Sequence, residues 1–262
     1  MNIKTALKYC NYKFFAKHRQ GHGIHSPFVY DLLTNIIEDE TSFYCFEKIE
    51  QLRSDLLKNS ELIEVTDLGA GSQKNKSNKR KISDIAKYSM TPKRYGQLIF
   101  RLVNHLKPHN IVELGTSLGL TTLYLSQPNS KANVYTIEGC PEIARVASKI
   151  FALTNANNIK QFVGNFDQML PQVLTESSQV DFVYFDGNHR KEPTVNYFNL
   201  CLNHINDNTF FIFDDIHWSE GMSEAWGEIK KHEKVKVTID LFFMGIVFFK
   251  KDLQKQDYTI KF

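Results

Sequence analysis

From residue 108 onward, short runs of β-branched and aromatic residues alternate with longer stretches whose apolar positions have helical spacing. The strand-like runs cover residues 110–114, 134–137, 161–164, 182–185 and 210–213. The final segment, KVTIDLFFMGIVFFKK, predicts two further strands around Met244 and Gly245. Five strand–helix pairs followed by a strand pair predict an α/β fold: a doubly wound, mostly parallel sheet of seven strands with an antiparallel edge strand.

The first 107 residues have a different pattern. Ser26 and Pro27 precede FVYDLLTNII, which predicts an N-cap and a first-turn proline at the start of a helix. The segment YGQLIFRLVNHL predicts a second helix, closed by Pro108, and GSQKNKSNKRK at residues 71–81 predicts a basic loop. We therefore expect a mainly helical cap over residues 1–107 and a separate domain over residues 108–262.

Charge separates the same two regions. Residues 1–107 carry 18 Lys+Arg and 11 Asp+Glu, a net charge of +7, whereas residues 108–262 carry 14 and 18, a net charge of −4. A basic region of this size indicates either a solvated helical surface or an anionic partner. The four cysteines are dispersed without a CxxC pair, and no apolar run approaches the roughly 20 residues of a membrane-spanning helix. We expect a cytoplasmic protein with reduced thiols, no structural zinc and no membrane partner.

The segment IVELGTSLGLTTLYLS joins the first predicted strand to its helix. Glu113 lies near the strand end, and a turn from Gly115 through Ser117 to Gly119 opens the helix. Glycines let a ligand approach the backbone, and the first helical turn presents N–H groups to a polar or anionic ligand. In a doubly wound sheet such a turn lies at the carboxyl end of a strand, where these folds bind ligands. Its G-x-x-x-G spacing departs from the G-x-G-x-x-G dinucleotide fingerprint, so we expect a ligand smaller and less anionic than NAD.

This turn resembles motif I of the class I S-adenosylmethionine-dependent methyltransferases. The resemblance implies a Rossmann-like methyltransferase fold that binds S-adenosyl-L-methionine. Glu138 ends the second strand, where an acidic side chain can accept both ribose hydroxyls. The stretch VGNFDQMLPQVL resembles the segment after the third strand of the catechol O-methyltransferase-like family, which implies an adenine pocket lined by Asn165, Phe166 and Asp167. The residues expected to bind the cofactor are Glu113, Gly115, Ser117, Gly119, Glu138, Asn165, Phe166, Asp167 and Asp186.

Three carboxylates follow the ends of the fourth and fifth strands, at Asp186, Asp214 and Asp215. Strand ends share one rim of a sheet, so these groups repel one another unless a proton or cation lies among them. A site made only of oxygen ligands favours Mg²⁺ as that cation. In the catechol O-methyltransferase-like family an Asp after strand four and an Asp-Asn pair after strand five hold a metal, which implies that these three residues are Mg²⁺ ligands. The Asp-Asp pair departs from that pattern, which leaves the third ligand open. Alternatively, Asp186 only assists the cofactor region while Asp214 and Asp215 cap a loop.

The catalytic base of that family, a lysine, lies three residues after the first metal aspartate, and His189 occupies this position here. A neutral imidazole can do the same work near pH 7. His217 in DDIHW is the rival base, and either histidine can instead be a polar residue of the rim.

The sequence predicts an enzyme that methylates an oxygen of a small molecule, and the resemblance implies assistance by Mg²⁺. Two alternatives stay open. The first is an RNA methyltransferase, although no NPPY-type tetrapeptide follows the fourth strand; the second is a non-catalytic protein that binds S-adenosylmethionine or acts as a scaffold. The residues that would hold RNA phosphates are Lys74, Lys76, Lys79, Arg80 and Lys81.

Three further features have weaker interpretations. A second glycine turn, Asp67–Ser72, is followed by neither a helix nor a strand with a terminal acid, so we interpret it as unrelated to the cofactor. His22 and His25 are expected to lie in a loop. Trp218 and Trp226 can stack on an aromatic substrate, but core packing is the preferred interpretation.

Overall fold

A computed structural model describes residues 3–16, 21–66 and 78–262. The chain divides into two compact units: the 41–178 unit, and a split unit made of residues 1–40 and 179–262. Within the described ranges, no helix combines the length and apolar character needed to cross a membrane. The second glycine turn at Asp67–Ser72 and residues 71–77 of the basic segment lie outside the described residues.

The elements of the described residues follow in chain order. The helices are α1 (Ile3–Phe15), α2 (Pro27–Leu32, continued by a π-helical turn over Leu33–Ile37), α3 (Phe46–Lys58), α4 (Ile82–Ser89), α5 (Lys93–Leu106), α6 (Leu120–Ser126), α7 (Pro141–Thr154), α8 (Phe166–Ser177), α9 (Lys191–Cys201) and α10 (Glu220–Lys231). The strands are β1 (Leu62–Glu64), β2 (Lys79–Lys81), β3 (Asn110–Leu114), β4 (Asn133–Glu138), β5 (Ile159–Val163), β6 (Val180–Phe185), β7 (Ile205–Asp214), β8 (Val237–Asp240), β9 (Met244–Phe248) and β10 (Gln256–Thr259).

Three parallel strands form the sheet of the 41–178 unit, in the order β3-β4-β5. The run NIVEL of β3 is buried at four of its five positions, as expected of a parallel strand covered on both faces. Helices α3 to α7 bury an apolar cluster centred on Phe46, Phe100, Tyr124 and Phe151. This packing fixes the ends of β3, β4 and β5, where the predicted cofactor residues lie.

The split unit contains the other five strands of the main sheet, in the order β10-β8-β9-β7-β6. Strand β6 is parallel to β7, and β9 is antiparallel to both β7 and β8. Helix α1 is tied to the chain end by Tyr12, whose hydroxyl donates to the Ile260 carbonyl (2.6 Å) and accepts from the Phe262 N–H (2.9 Å). The Tyr9 ring meets Phe242 edge-on, with 4.9 Å between ring centroids.

The predicted α/β fold with a mostly parallel sheet is confirmed, but the main sheet has eight strands rather than seven. The additional strand is β10, which pairs parallel to β8 at the sheet edge. The antiparallel β9 lies between β8 and β7, inside the sheet and not at its edge. Of its four residues only Tyr258 is buried, and a strand with one buried side chain leaves no apolar run to detect.

The N-terminal elements match the sequence in part. Ser26 caps α2 by accepting from the Val29 N–H, and Pro27 takes the first helical position, as predicted. Residues 79–81, assigned to the basic loop, instead form β2, which pairs antiparallel with β1. The boundary at residues 107 and 108 stays a prediction.

Candidate functional site

The turn between β3 and α6 is held in a left-handed conformation. Gly115, Ser117 and Gly119 have φ values of 105°, 48° and 83°. The N–H groups of Gly115 and Thr116 both donate to the Ile137 carbonyl, at 3.0 and 3.2 Å, which fastens the turn to the end of β4. A Cβ atom at position 119 would lie 2.7 Å from the Phe151 ring, so α6 can approach α7 this closely only with glycine at its start.

We expect Gly119→Ala to lower the free energy of unfolding by about 2–4 kcal/mol, because it combines a positive φ with a steric clash. Gly227→Ala is the matched control, since a Cβ there meets nothing within 4 Å and alanine favours the helix. Urea denaturation of both variants checks the prediction. Equal stability of the two would show that Phe151 moves aside freely.

Glu138 closes the turn from the neighbouring strand. Its Oε2 accepts from the Ser117 N–H and its Oε1 from the Cys140 N–H, each at 2.9 Å. Two backbone donors therefore fix the plane of this half-buried carboxylate. Each oxygen retains acceptor capacity for a further hydrogen bond, which is what two adjacent ribose hydroxyls require.

Glu113 lies beneath the turn and is fully buried. Its Oε2 accepts from the hydroxyls of Thr122 (2.5 Å) and Thr136 (2.6 Å), while its buried Oε1 has no hydrogen-bond partner. Burial raises the pKa of Glu113 to about 8, against the opposing effect of the two threonine hydrogen bonds. The Thr116 hydroxyl lies 2.5 Å from that of Thr136, so a chain of hydrogen bonds joins this carboxyl to the turn.

The raised pKa of Glu113 makes stability depend on pH. The pKa of Glu113 is higher in the folded state than in the unfolded state. The stabilisation that the protonated carboxyl contributes to the folded state is therefore complete at low pH and is lost as the pH rises through about 8. Glu113→Gln mimics the protonated form and does not titrate. We therefore expect the free energy of unfolding of the wild type to fall relative to that of Glu113→Gln between pH 5 and pH 8, by up to about 1.4 kcal/mol per pH unit. Urea titrations across this range check it, with the exposed Glu47→Gln as control. A difference that does not change with pH would contradict it.

Two polar contacts of the turn were missed by the sequence analysis. The Ser89 hydroxyl, at the end of α4, lies 2.8 Å from the Ser117 hydroxyl, and the Thr91 hydroxyl lies 2.8 Å from that of Thr121 in α6. Both Ser89 and Thr91 precede α5 in the segment SMTP. These contacts join residues about thirty positions apart, so spacing along the chain gave no signal of them.

The segment after β5 begins beside Glu138, because the Gly164 N–H donates to the Glu138 carbonyl (2.9 Å). Asn165 caps α8, its Oδ1 accepting from the Asp167 N–H at 3.0 Å. Asn165 and Phe166 are half-buried and Asp167 is exposed. The 41–178 unit therefore brings this segment, Glu138 and the glycine turn to adjoining strand ends, while their roles toward a cofactor stay predictions.

In the split unit, the predicted acidic group lies at the ends of β6 and β7. Asp186 directly follows β6, and Asp214 is the last residue of β7. Burial, and then the charge of Asp215, raise the pKa of Asp214 to about 8. Burial also raises the pKa of Asp215, which adopts a φ of 54°. A proton thus relieves the repulsion between carboxylates that the sequence predicted.

His189 lies against this group, with its Nε2 3.6 Å from Asp186 Oδ1. Burial lowers the pKa of His189, while the charge of Asp215 acts in the opposite direction. The ring is therefore neutral near pH 7 and has a carboxylate beside it to stabilise the protonated form.

The predicted metal ligands do not form a three-ligand group. Across residues 3–16, 21–66 and 78–262, no three His, Cys, Asp or Glu side chains are arranged so as to hold a metal ion. The Mg²⁺ site that the resemblance implies at Asp186, Asp214 and Asp215 therefore stays a prediction.

His217, the rival base, has both ring nitrogens engaged. Its Nε2 lies 2.8 Å from Asp240 Oδ2, and its Nδ1 lies 3.4 Å from the Ser223 hydroxyl. The Trp226 indole N–H donates to the same Asp240 oxygen at 3.3 Å. Trp226 is buried, in agreement with the core packing that the sequence favoured. Asp240 was not identified from the sequence, because its partners lie on α10 and in the loop after β7.

The remaining candidates are surface residues. Trp218 is 49% exposed, and His22 and His25 are exposed in the loop before α2. The exposed Lys79 and Lys81 flank Arg80 in β2.

Comparison with known proteins gives one matching family and several solved structures of similar fold. Residues 112–216 match a family described as a methyltransferase domain. The transmembrane O-methyltransferase of Propithecus coquereli is 31% identical over 86 residues, which cover 31% of this chain and 31% of that protein. The chain spans about a third of the length of the curated relatives that it matches.

Two solved structures have the same fold at low sequence identity. The O-methyltransferase TomG from Streptomyces achromogenes, in complex with S-adenosylmethionine, gives a TM-score of 0.58 at 15% identity over 85% of this chain and 95% of its own. The O-methyltransferase from Bacillus cereus, in complex with S-adenosylhomocysteine, gives a TM-score of 0.54 at 18% identity over 84% of this chain and 96% of its own.

Proposed function

We propose that this chain transfers a methyl group from S-adenosylmethionine to an oxygen of a small molecule, on the premise that residues 112–216 match a methyltransferase domain and that the chain shares the fold of an O-methyltransferase bound to S-adenosylmethionine. The observation that carries the proposal is the Glu138 carboxylate, which is fixed by the backbone of the glycine turn. Such a carboxylate suits the two hydroxyls of a nucleoside. The G-x-x-x-G spacing of the turn, which departs from the dinucleotide fingerprint, favours S-adenosylmethionine over a dinucleotide.

The cofactor residues have separate roles in this proposal. Glu138 accepts the ribose hydroxyls, and the turn from Gly115 to Gly119 gives the ligand access to the backbone. Asn165, Phe166 and Asp167 line the adenine pocket. Glu113 acts beneath the turn, through Thr136 and Thr116, and holds its shape without touching the ligand.

His189 is the proposed general base. The bound cofactor supplies an electrophilic methyl group on a sulfonium that is also the leaving group. The neutral His189 takes the proton of the acceptor hydroxyl, and Asp186 and Asp215 stabilise the imidazolium that results. The protein otherwise acts by holding the acceptor oxygen in line with the methyl group.

Calorimetry with S-adenosylhomocysteine tests the cofactor assignment, and transfer of a labelled methyl group to small hydroxyl compounds tests the reaction. We expect binding without added Mg²⁺. Repeating the titration with Mg²⁺ on the wild type, Asp186→Ala and Asp214→Ala tests the metal that the resemblance implies. A Mg²⁺ response that both substitutions abolish would support the metal assignment, and a response unchanged in both variants would remove it.

The two alternatives predict other outcomes. An RNA methyltransferase using Lys79, Arg80 and Lys81 would bind RNA with an affinity that falls steeply as salt increases. A scaffold protein would bind S-adenosylmethionine without consuming it. The cytoplasmic location predicted from the sequence remains part of the proposal.

A further inference from the structure

Glu113 is a fully buried carboxyl group without a cationic partner. The groups that act on its charge are the hydroxyls of Thr122 and Thr136 and the carboxylate of Glu138, and no Lys, Arg or His of the described residues forms an ion pair with it. A carboxyl group in such surroundings keeps its proton, because burial disfavours the charged form and no opposite charge offsets that cost. The raised pKa of Glu113, about 8, agrees with this.

Two hydroxyl groups connect Glu113 to the glycine turn. The Thr136 hydroxyl lies 2.6 Å from Glu113 Oε2, and the Thr116 hydroxyl lies 2.5 Å from that of Thr136. Thr116 belongs to the turn, and its neighbour Ser117 donates its backbone N–H to Glu138. The carboxyl group therefore lies directly beneath the backbone to which the proposed function assigns the cofactor.

The charge of Glu138 already acts on Glu113. Repulsion from the Glu138 carboxylate raises the pKa of Glu113. A cation held beside Glu138 acts on Glu113 with the opposite sign, so it favours the ionised carboxylate. S-adenosylmethionine carries such a cation on its sulfonium, whereas S-adenosylhomocysteine has a neutral sulfur at the same position. The rest of the two molecules is the same, so Glu113 meets them with one difference of charge.

We propose that Glu113 makes the turn selective for S-adenosylmethionine over S-adenosylhomocysteine, by releasing its proton when the sulfonium compound binds and keeping it when the neutral sulfide binds. This inference rests on the proposed function and deepens it, because Glu113 then selects between cofactor and product as well as shaping the turn. After methyl transfer Glu113 takes up a proton again, because the positive charge that favoured its ionised form is gone. The product is then held less tightly than the cofactor.

Thermodynamic linkage fixes the sign of the pH dependence. A ligand whose binding releases a proton binds more tightly as the pH rises, up to the pKa of the free protein. We therefore expect the affinity for S-adenosylmethionine, relative to S-adenosylhomocysteine, to rise by up to about tenfold per pH unit between pH 6 and pH 8. Glu113→Gln has no proton to release, so its affinity ratio should lack this rise.

Calorimetry of the full chain at pH 7 tests the proposal, with each of the two compounds titrated in phosphate and in Tris buffer. The buffers differ in ionisation enthalpy, so the difference in observed heat gives the number of protons released on binding. With S-adenosylmethionine we expect the wild type to release up to about one proton more than Glu113→Gln does. With S-adenosylhomocysteine we expect the two proteins to release equal numbers. Protons exchanged by the ligand itself are common to both proteins and cancel.

Two further variants serve as controls. Glu113→Asp keeps a carboxyl group at this position and should restore part of the proton release. Glu47→Gln removes an exposed carboxylate and should release as many protons as the wild type. Thermal unfolding shows whether each variant is folded, and the affinity ratio of the wild type between pH 6 and pH 8 needs no variant at all.

Two results would overturn the proposal. The first is equal proton release by the wild type and a folded Glu113→Gln protein on binding S-adenosylmethionine. The second is a wild-type affinity ratio that does not rise between pH 6 and pH 8. Either result, obtained while both compounds bind, would remove the proposal and leave the proposed function in place. Binding of neither compound would remove the proposed function, and the proposal with it.

Discussion

Glu138→Gln is expected to weaken S-adenosylhomocysteine binding by about a hundredfold or more. Two charge-assisted hydrogen bonds to the ribose become bonds to a neutral amide, and about 1.5 kcal/mol for each corresponds to roughly a hundredfold in Kd. The amide also turns one N–H donor toward Ser117 or Cys140, whose backbone N–H groups both need an acceptor. Calorimetry of the wild type and the variant measures the loss.

Two further variants separate binding from folding. Glu138→Asp keeps the charge on a shorter side chain and should recover part of the affinity. Glu142→Gln, which changes an exposed carboxylate of α7, should bind like the wild type. Thermal unfolding of each variant shows whether the turn is intact. Affinity within threefold of the wild type in a folded Glu138→Gln protein would place the cofactor elsewhere.

His189→Gln is expected to lower kcat by about 10²–10⁴-fold, the usual contribution of a positioned general base, and to leave S-adenosylhomocysteine affinity unchanged. His217→Gln is the comparison, because both nitrogens of that ring are engaged by Asp240 and Ser223. We expect a smaller loss there. If His217→Gln lost more activity than His189→Gln, the base would be His217.

The pH dependence of kcat/KM gives a second test of His189. Burial lowers the pKa of His189, so activity should fall only below the ordinary histidine range near pH 6.5. Asp215 raises that pKa, and Asp215→Asn should therefore move the acid limb to still lower pH. A limb that stays in place, or moves upward, would contradict the assignment. The same limb should disappear in His189→Gln.

Local sequence patterns predicted most of the sheet. The run NIVEL is β3 residue for residue, because Ile111, Val112 and Leu114 give it the apolar content of a strand covered on both faces. Pro141 starts α7, as the sequence indicated. The pattern failed for β10, in which only one residue, a tyrosine, is buried, and for β2, in which consecutive basic residues pair antiparallel with β1.

The candidate site was predictable where it depends on strand ends. Glu138, Asp186 and Asp214 lie at or directly after the ends of their strands, since position along a parallel strand fixes the edge on which a residue lies. Contacts between distant segments were not predictable. Asp240 engages His217 from 23 residues away, and the raised pKa of Asp214 depends on burial that only the fold creates.

The division of the chain has a consequence for its synthesis. The partners of Tyr12 in helix α1 are Ile260 and Phe262, which are synthesised 248 and 250 residues later. Residues 41–178 carry an apolar cluster of their own and can fold before residues 179–262 have been translated. Helix α1 therefore remains without the partners of its tyrosine until the split unit is complete, a period in which a chaperone would find it accessible.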